Sequence, residues 1–208
     1  MKRKLAFVTT FMVMGVMAVG ASPARAAGID GTGGVGTCPT TGKISIKPAL
    51  NNGPDAGPGL VKVQTKPTKG GVCTGGTGDG ANVISGQSKG SETTTTSLCT
   101  GLLGTVHNTL TLTVKWKTAK GTPKLNPSTV TITTETGGVS GDGHGTFDVS
   151  GTVTAGSFNG DTVTAHVETD QSVSDVTALC GGKGVKKLTW GGKPGSDNVL
   201  GSGSTTIN

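Results

Sequence analysis

Residues 109–117 read Thr-Leu-Thr-Leu-Thr-Val-Lys-Trp-Lys. Leu110, Leu112, Val114 and Trp116 fall on one side of this stretch, with Thr109, Thr111, Thr113, Lys115 and Lys117 on the other. A period of two is what a strand with one dry and one wet face requires. The same alternation recurs outward from it. Val130 and Ile132 alternate with Thr129, Thr131 and Thr133; Phe147, Val149 and Val153 with Asp148, Ser150 and Thr152; Val163, Ala165 and Val167 with Thr162, Thr164, His166 and Glu168. Weaker candidates span 43–47 (Ile44 and Ile46 inward), 60–66, 82–88, 185–190 and the last residues to Ile207. β-Branched Thr and Val suit a pleated, half-buried surface. Helical spacing is absent beyond a turn, and Gly, Pro, Asn and Asp fill the gaps, as in Asn51-Asn52-Gly53-Pro54 and Gly121-Thr122-Pro123. Asn159-Gly160 between two alternating runs is a strong hairpin signal, so 146–154 and 161–169 are expected to pair antiparallel. These elements predict an all-β fold, an antiparallel β-sandwich (immunoglobulin-like or related) of about nine strands.

The N-terminus reads as an export signal. Lys2, Arg3 and Lys4 precede an apolar stretch from Leu5 to Val19, and Ala24-Arg25-Ala26 offers an A-x-A cleavage site. The expected organisation is a signal peptide over 1–26, a Gly-rich leader over 27–42 and a single domain over 43–208. No apolar tail or sorting signal ends the sequence, so the expected product is secreted, extracellular and without a transmembrane segment after cleavage. The chain holds 18 Lys+Arg against 12 Asp+Glu, but Lys2, Arg3, Lys4 and Arg25 leave with the signal and no acid does, so the remaining net charge is +2. A nearly neutral product with no Arg lacks the phosphate-binding footprint of a nucleic-acid partner.

Aromatic residues are scarce: Tyr is absent, and only Trp116, Phe147, Phe158 and Trp190 follow the signal. So few rings cannot build the girdles of a membrane-spanning barrel, and they leave little large apolar surface to bury. The four cysteines, Cys38, Cys73, Cys99 and Cys180, are expected to supply two disulfides. Cys38 precedes the Ile44/Ile46 strand and Cys73 follows the Val61/Val63 strand, so a hairpin of the two would bring these sulfurs together. Cys38–Cys73 with Cys99–Cys180 is favoured on that ground, and spacing alone leaves the other pairings open.

The segments VCTGG at 72–76, SLCTGLLGT at 97–105, LTVKWKT at 112–118 and GTVTAGSFNGDTV at 151–163 resemble a loose group of exported, β-rich proteins of the actinobacterial type. The resemblance implies a β-sandwich and an extracellular location. It brings no assigned function and no catalytic residues.

Candidate chemistry is sparse. His107, His144 and His166 lie on three separate segments, which gives no converging metal set; no metal or cofactor is expected. Asp142 and His144, in a Gly-rich turn, offer an acid–base pair, and a secreted hydrolase built on them is the alternative function. No G-x-S-x-G elbow accompanies them. Glu92, Glu135 and Glu168 are the only glutamates, and no pair suited to glycoside hydrolysis stands out. Gly31-x-Gly33-x-x-Gly36 matches a dinucleotide fingerprint by letter, but it follows no strand and opens no helix. Lys115 and Lys117, with Lys120 and Lys124, and a second group at Lys183, Lys186 and Lys187, are candidates for holding a cell-wall or polysaccharide surface. Rows of Thr could present a flat hydroxyl array. Trp116 is expected in the core by alternation, and Trp190 is the one expected exposed platform. The leading expectation is therefore a secreted, non-enzymatic binding, adhesion or structural protein, with its ligand unspecified.

Overall fold

A computed structural model describes residues 28–52, 58–94, 99, 105–106, 109–191 and 203–208; the signal-peptide reading and His107 lie outside them. The strands are β1 (Gly36–Leu50), β2 (Gly59–Pro67), β3 (Val83–Thr94), β4 (Thr105–Val106), β5 (Leu110–Thr118), β6 (Ser128–Val139), β7 (His144–Ala155), β8 (Thr162–Ser172), β9 (Val185–Trp190) and β10 (Gly203–Ile207), with one helix, α1 (Val173–Cys180).

The fold is all-β, antiparallel and tied by two disulfides, as expected, but it is a barrel and not a sandwich. β1-β2-β3-β5-β6-β7-β8-β10 run in order around a ring, and β10 pairs back onto β1 through Gly36↔Ile207 to Pro39↔Ser204. Eight strands thus close, with β9 added beside β1 and β4 beside β6. Closure follows from the length of β1. Its first residues pair with β10, and Gly42 to Ser45 pair with β9 along the same edge. A sandwich would leave that edge open, whereas a ring has no edge to protect. Residues 36–42, expected in the leader, are therefore the first half of β1 and part of the barrel wall.

Between β8 and β9 a side chain does the work of a ladder. Gln171 accepts at Oε1 from the backbone N–H of Thr189 (3.0 Å) and donates from Nε2 to Thr189 Oγ1 (3.1 Å).

Thr and Lys face outward, as at Thr111, Thr113, Lys115 and Lys117, while Leu110 and Val114 are buried inside. This is the reverse of a membrane barrel, which turns its apolar face to lipid. No helix among the described residues is long and apolar enough to cross a membrane.

One end of the ring is plugged. The segment 28–35 crosses it, with Ile29 bridging to Leu125 and Gly31 accepting from the N–H of Phe158 (2.9 Å). Val35, Val83, Val130, Val153, Phe158 and Ile207 are buried together there. Gly36 makes the entry into β1 possible: its φ is +75°, and a Cβ there would collide with the carbonyl oxygen of Thr74. Cys38–Cys73 ties β1 to the chain beyond β2 near this end.

The opposite end carries α1, a helix that the period-two reading did not anticipate. Ser172 caps it, accepting from the N–H of Asp175 (3.1 Å) and donating to that carboxylate (2.8 Å). Cys180, at its last residue, is bonded to Cys99, and the two pack with Ile46, Leu50, Val185 and Leu188 in a second apolar cluster. Both disulfides are those favoured from the sequence.

The connection from β7 to β8 is longer than a two-residue turn. The β7–β8 pairing holds as expected, ending at Thr152↔Thr162. Phe158 (φ 64°) folds inward from the loop into the plugged end, where it packs edge-on to Trp116.

A hollow barrel with two inward glutamates

Side chains fill the plugged end of the barrel and leave the interior beyond it hollow. A cavity of about 350 Å³ is lined by Ile44, Ile46, Val61, Val63, Leu112, Val114, Trp116, Val149, Val167 and Trp190, among others. The reason is legible in the inward positions. On β3 they are Gly86 and Ser88; Gly137 on β6, Ala165 on β8 and Thr205 on β10 also face the cavity. Small residues at those points subtract volume from an eight-strand interior, which is just wide enough for packed side chains or one small ligand.

Polar groups in this cavity fall into two kinds. Thr65 and Ser88 satisfy one another through their hydroxyls (2.9 Å), and Thr94 donates to the carbonyl of Gly59 (3.3 Å). Trp116 donates from Nε1 to Ser128 (2.8 Å) and stands edge-on to Phe158, ring centres 5.4 Å apart. By contrast, Glu92 Oε2 and Trp190 Nε1 are buried without a hydrogen-bond partner among the described residues. Buried polar atoms are nearly always paired, so these two stand out.

Glu135 is the second carboxyl in the cavity. Burial, with a further contribution from the charge of Glu92, pushes its pKa up to about 7. Burial also raises that of Glu92. No Lys, Arg, His or Asp lines the cavity among the described residues. The two acids therefore face an apolar space with no cation to offset them.

A smaller space of about 210 Å³ lies beneath α1, lined by Val173, Val176, Thr177 and the Cys99–Cys180 bridge. Phe147 and Leu188 line both spaces and so form the partition between them.

The residues singled out from the sequence lie elsewhere, with one exception. Trp190, expected as an exposed platform, is only 3% exposed and faces the cavity, because β9 turns Leu188 and Trp190 to the same inner side. Trp116 faces inward as alternation requires. Lys115 and Lys117 are exposed on β5. Lys186 and Lys187 are exposed on β9, which is separated from β5 by β1, β2 and β3. The two Lys groups are thus carried on different parts of the wall and do not form one patch.

Asp142 and His144 sit in the β6–β7 turn and line neither space. Asp142 accepts from the hydroxyl of Ser140, a bond that holds its carboxyl below the ordinary range. His144 donates from Nδ1 to the carbonyl of Thr169 (2.8 Å). The Ser140 hydroxyl bridges Asp142 and the backbone of His144, while the His144 ring is turned to the carbonyl of Thr169 on β8. His166 meets Asp148 (2.6 Å) on the outer surface. No group of three or more His, Cys, Asp or Glu suited to a metal occurs among the described residues. The Thr rows do align, as in Thr111↔Thr131 and Thr131↔Thr152, but on a curved wall and not a flat one.

Sequence reasoning missed the glutamate pair for a specific reason. Strict alternation from Val130 and Ile132 would turn Thr134 inward. A bulge between Ile132 and Thr134 shifts the register by one and puts Glu135 inside instead. Glu92 belongs to a strand whose other inward residues are too small and polar to declare a face.

No protein-family model, curated protein or solved structure matches this chain. What the fold and cavity define is an eight-strand antiparallel barrel, closed by the β1–β10 pairing and tied by two disulfides of the kind found in a non-reducing compartment.

Proposed function

We propose that the chain is an exported, non-enzymatic binding protein that holds an apolar small molecule inside its barrel. The observation that carries this reading is the unfilled middle: close-packed interiors leave few voids larger than a water, and this one spans about 350 Å³ behind a complete ring of strands. Such a volume falls in the lower part of the range of small-molecule sites, about 300–1,000 Å³. The leader-like N-terminus, the two disulfides and the polar outer wall support export. The mainly apolar lining of the cavity supports the holding of an apolar molecule.

The test is titration of the purified protein with N-phenyl-1-naphthylamine, an uncharged dye at neutral pH that fluoresces in apolar surroundings. Saturable, one-to-one enhancement is expected, and Ala165→Phe, which grows a ring into the cavity, should abolish it. Enhancement that never saturates, or that survives Ala165→Phe unchanged, would count against an internal site.

A further inference from the structure

The cavity's chemistry narrows its occupant. Resting on the binding function proposed above, we infer that the ligand is an apolar organic cation, a molecule with a hydrophobic body and a basic nitrogen that sits beside Glu92 and Glu135. Three independent features of the interior support this.

The first is charge. Two carboxyl groups on different strands, β3 and β6, face one apolar space that no cationic side chain lines among the described residues. Burying a carboxylate without a counter-charge is costly, and two of them near one another raise that cost. The raised pKa of each records the strain from the protein's side. A ligand cation relieves it, whereas a fatty acid would add a third negative charge.

The second is hydrogen bonding. Glu92 Oε2 accepts from nothing among the described residues, and an ammonium group brings N–H donors of the strong, charge-assisted kind. The indole N–H of Trp190, 3% exposed and equally unpartnered in the same cavity, is left for an oxygen of the ligand or a water held with it.

The third is the wall itself. Trp116 and Trp190 both line the space and add broad apolar surface to it. The rest of the lining is mainly Val, Ile and Leu, which fits a hydrocarbon body.

The experiment compares three probes with one chain length: decylamine, decanol and decanoate, each below its aggregation concentration at pH 8. A primary amine is still protonated there, as lysine is. Trp116 and Trp190 are the only tryptophans in the chain, so intrinsic fluorescence reports occupancy directly, and calorimetry gives the affinity. Decylamine should bind at least about tenfold more tightly than decanol, with decanoate weakest. In the Glu92→Gln/Glu135→Gln variant the amine should fall to the affinity of decanol while decanol is unchanged. That variant removes buried charge, and an unaltered melting curve or a raised one verifies that it folds. Equal binding of amine and alcohol, tightest binding of decanoate, or an amine preference that survives both Gln substitutions would overturn the cationic ligand and leave the internal site standing. If none of the three probes nor the naphthylamine dye binds, the internal site itself fails, and this inference with it.

Discussion

At the scale of single residues, Glu135 is held where its charge is unwelcome. Its folded-state pKa of about 7 lies above the ordinary 4.5, so the folded chain holds this proton more tightly than the unfolded chain does. The stabilisation is complete below about pH 4.5 and is lost as pH rises through about 7. Glu135→Gln removes the titration. Relative to that variant, the native protein should therefore lose melting temperature between pH 4.5 and 7, and the variant should be the more stable of the two above pH 7. Equal slopes in the two pH–melting profiles would refute the burial of this carboxyl. Phe158 shows the opposite balance. Its φ of 64° is unfavourable for a residue with a side chain, costing of order 1–3 kcal/mol, yet its ring is 1% exposed and stacked edge-on to Trp116. Phe158→Ala keeps the backbone strain and loses the packing, so a loss of about 3–5 kcal/mol is expected by denaturant titration.

At the scale of elements, the strands were the legible part. Alternation located the cores of β5, β7 and β8 and matched β9 from Val185 to Trp190. It worked because each of these strands puts mainly apolar residues on one side and polar or charged residues on the other. It failed where the pattern was interrupted by geometry: the bulge in β6 that turns Glu135 inward, and β3, where Gly86 and Ser88 are inward without being apolar. α1 had a signal of its own, since Ser172-Val173-Ser174-Asp175 is the capping pattern of a short helix. That signal is independent of periodicity, and alternation does not reveal it. Gln171 had none, because nothing in a sequence reveals that a side-chain amide will bridge two strands. Its role is testable: Gln171→Ala leaves the Thr189 N–H without that acceptor, which should cost about 1 kcal/mol. Faster hydrogen exchange should appear across Val185 to Trp190 and leave β5 to β7 unaffected. The bridge at Cys99–Cys180 spans 81 residues and anchors the end of α1. Replacing both cysteines with Ala should lower stability by about 2–4 kcal/mol and loosen the helix end before the plugged end, as read by exchange of the α1 amides.

At the scale of the whole molecule, closure and hollowness are linked. Closing the ring removes every long edge, so the barrel does not depend on a continuous core to keep its strands from pairing with another chain. That freedom lets inward positions such as Gly86, Gly137 and Ala165 stay small, and the packing is concentrated at the plugged end. Closure was the feature the sequence concealed most completely, since alternation is the same in a sandwich and in a barrel, and only the pairing of β1 with β10 distinguishes them. The consequence is an uneven response to added volume. Val153 lies in the plugged end, 1% exposed, where a larger ring has nowhere to go, and Val153→Phe should cost about 1–3 kcal/mol or more. Ala165 faces the cavity, and Ala165→Phe places its ring in existing space, so its stability should match or exceed that of the native chain. Urea titrations of the two variants at one pH compare the sites directly. A protein whose middle were packed like its plugged end would show the same penalty at both positions, and Ala165→Phe would then destabilise as strongly as Val153→Phe.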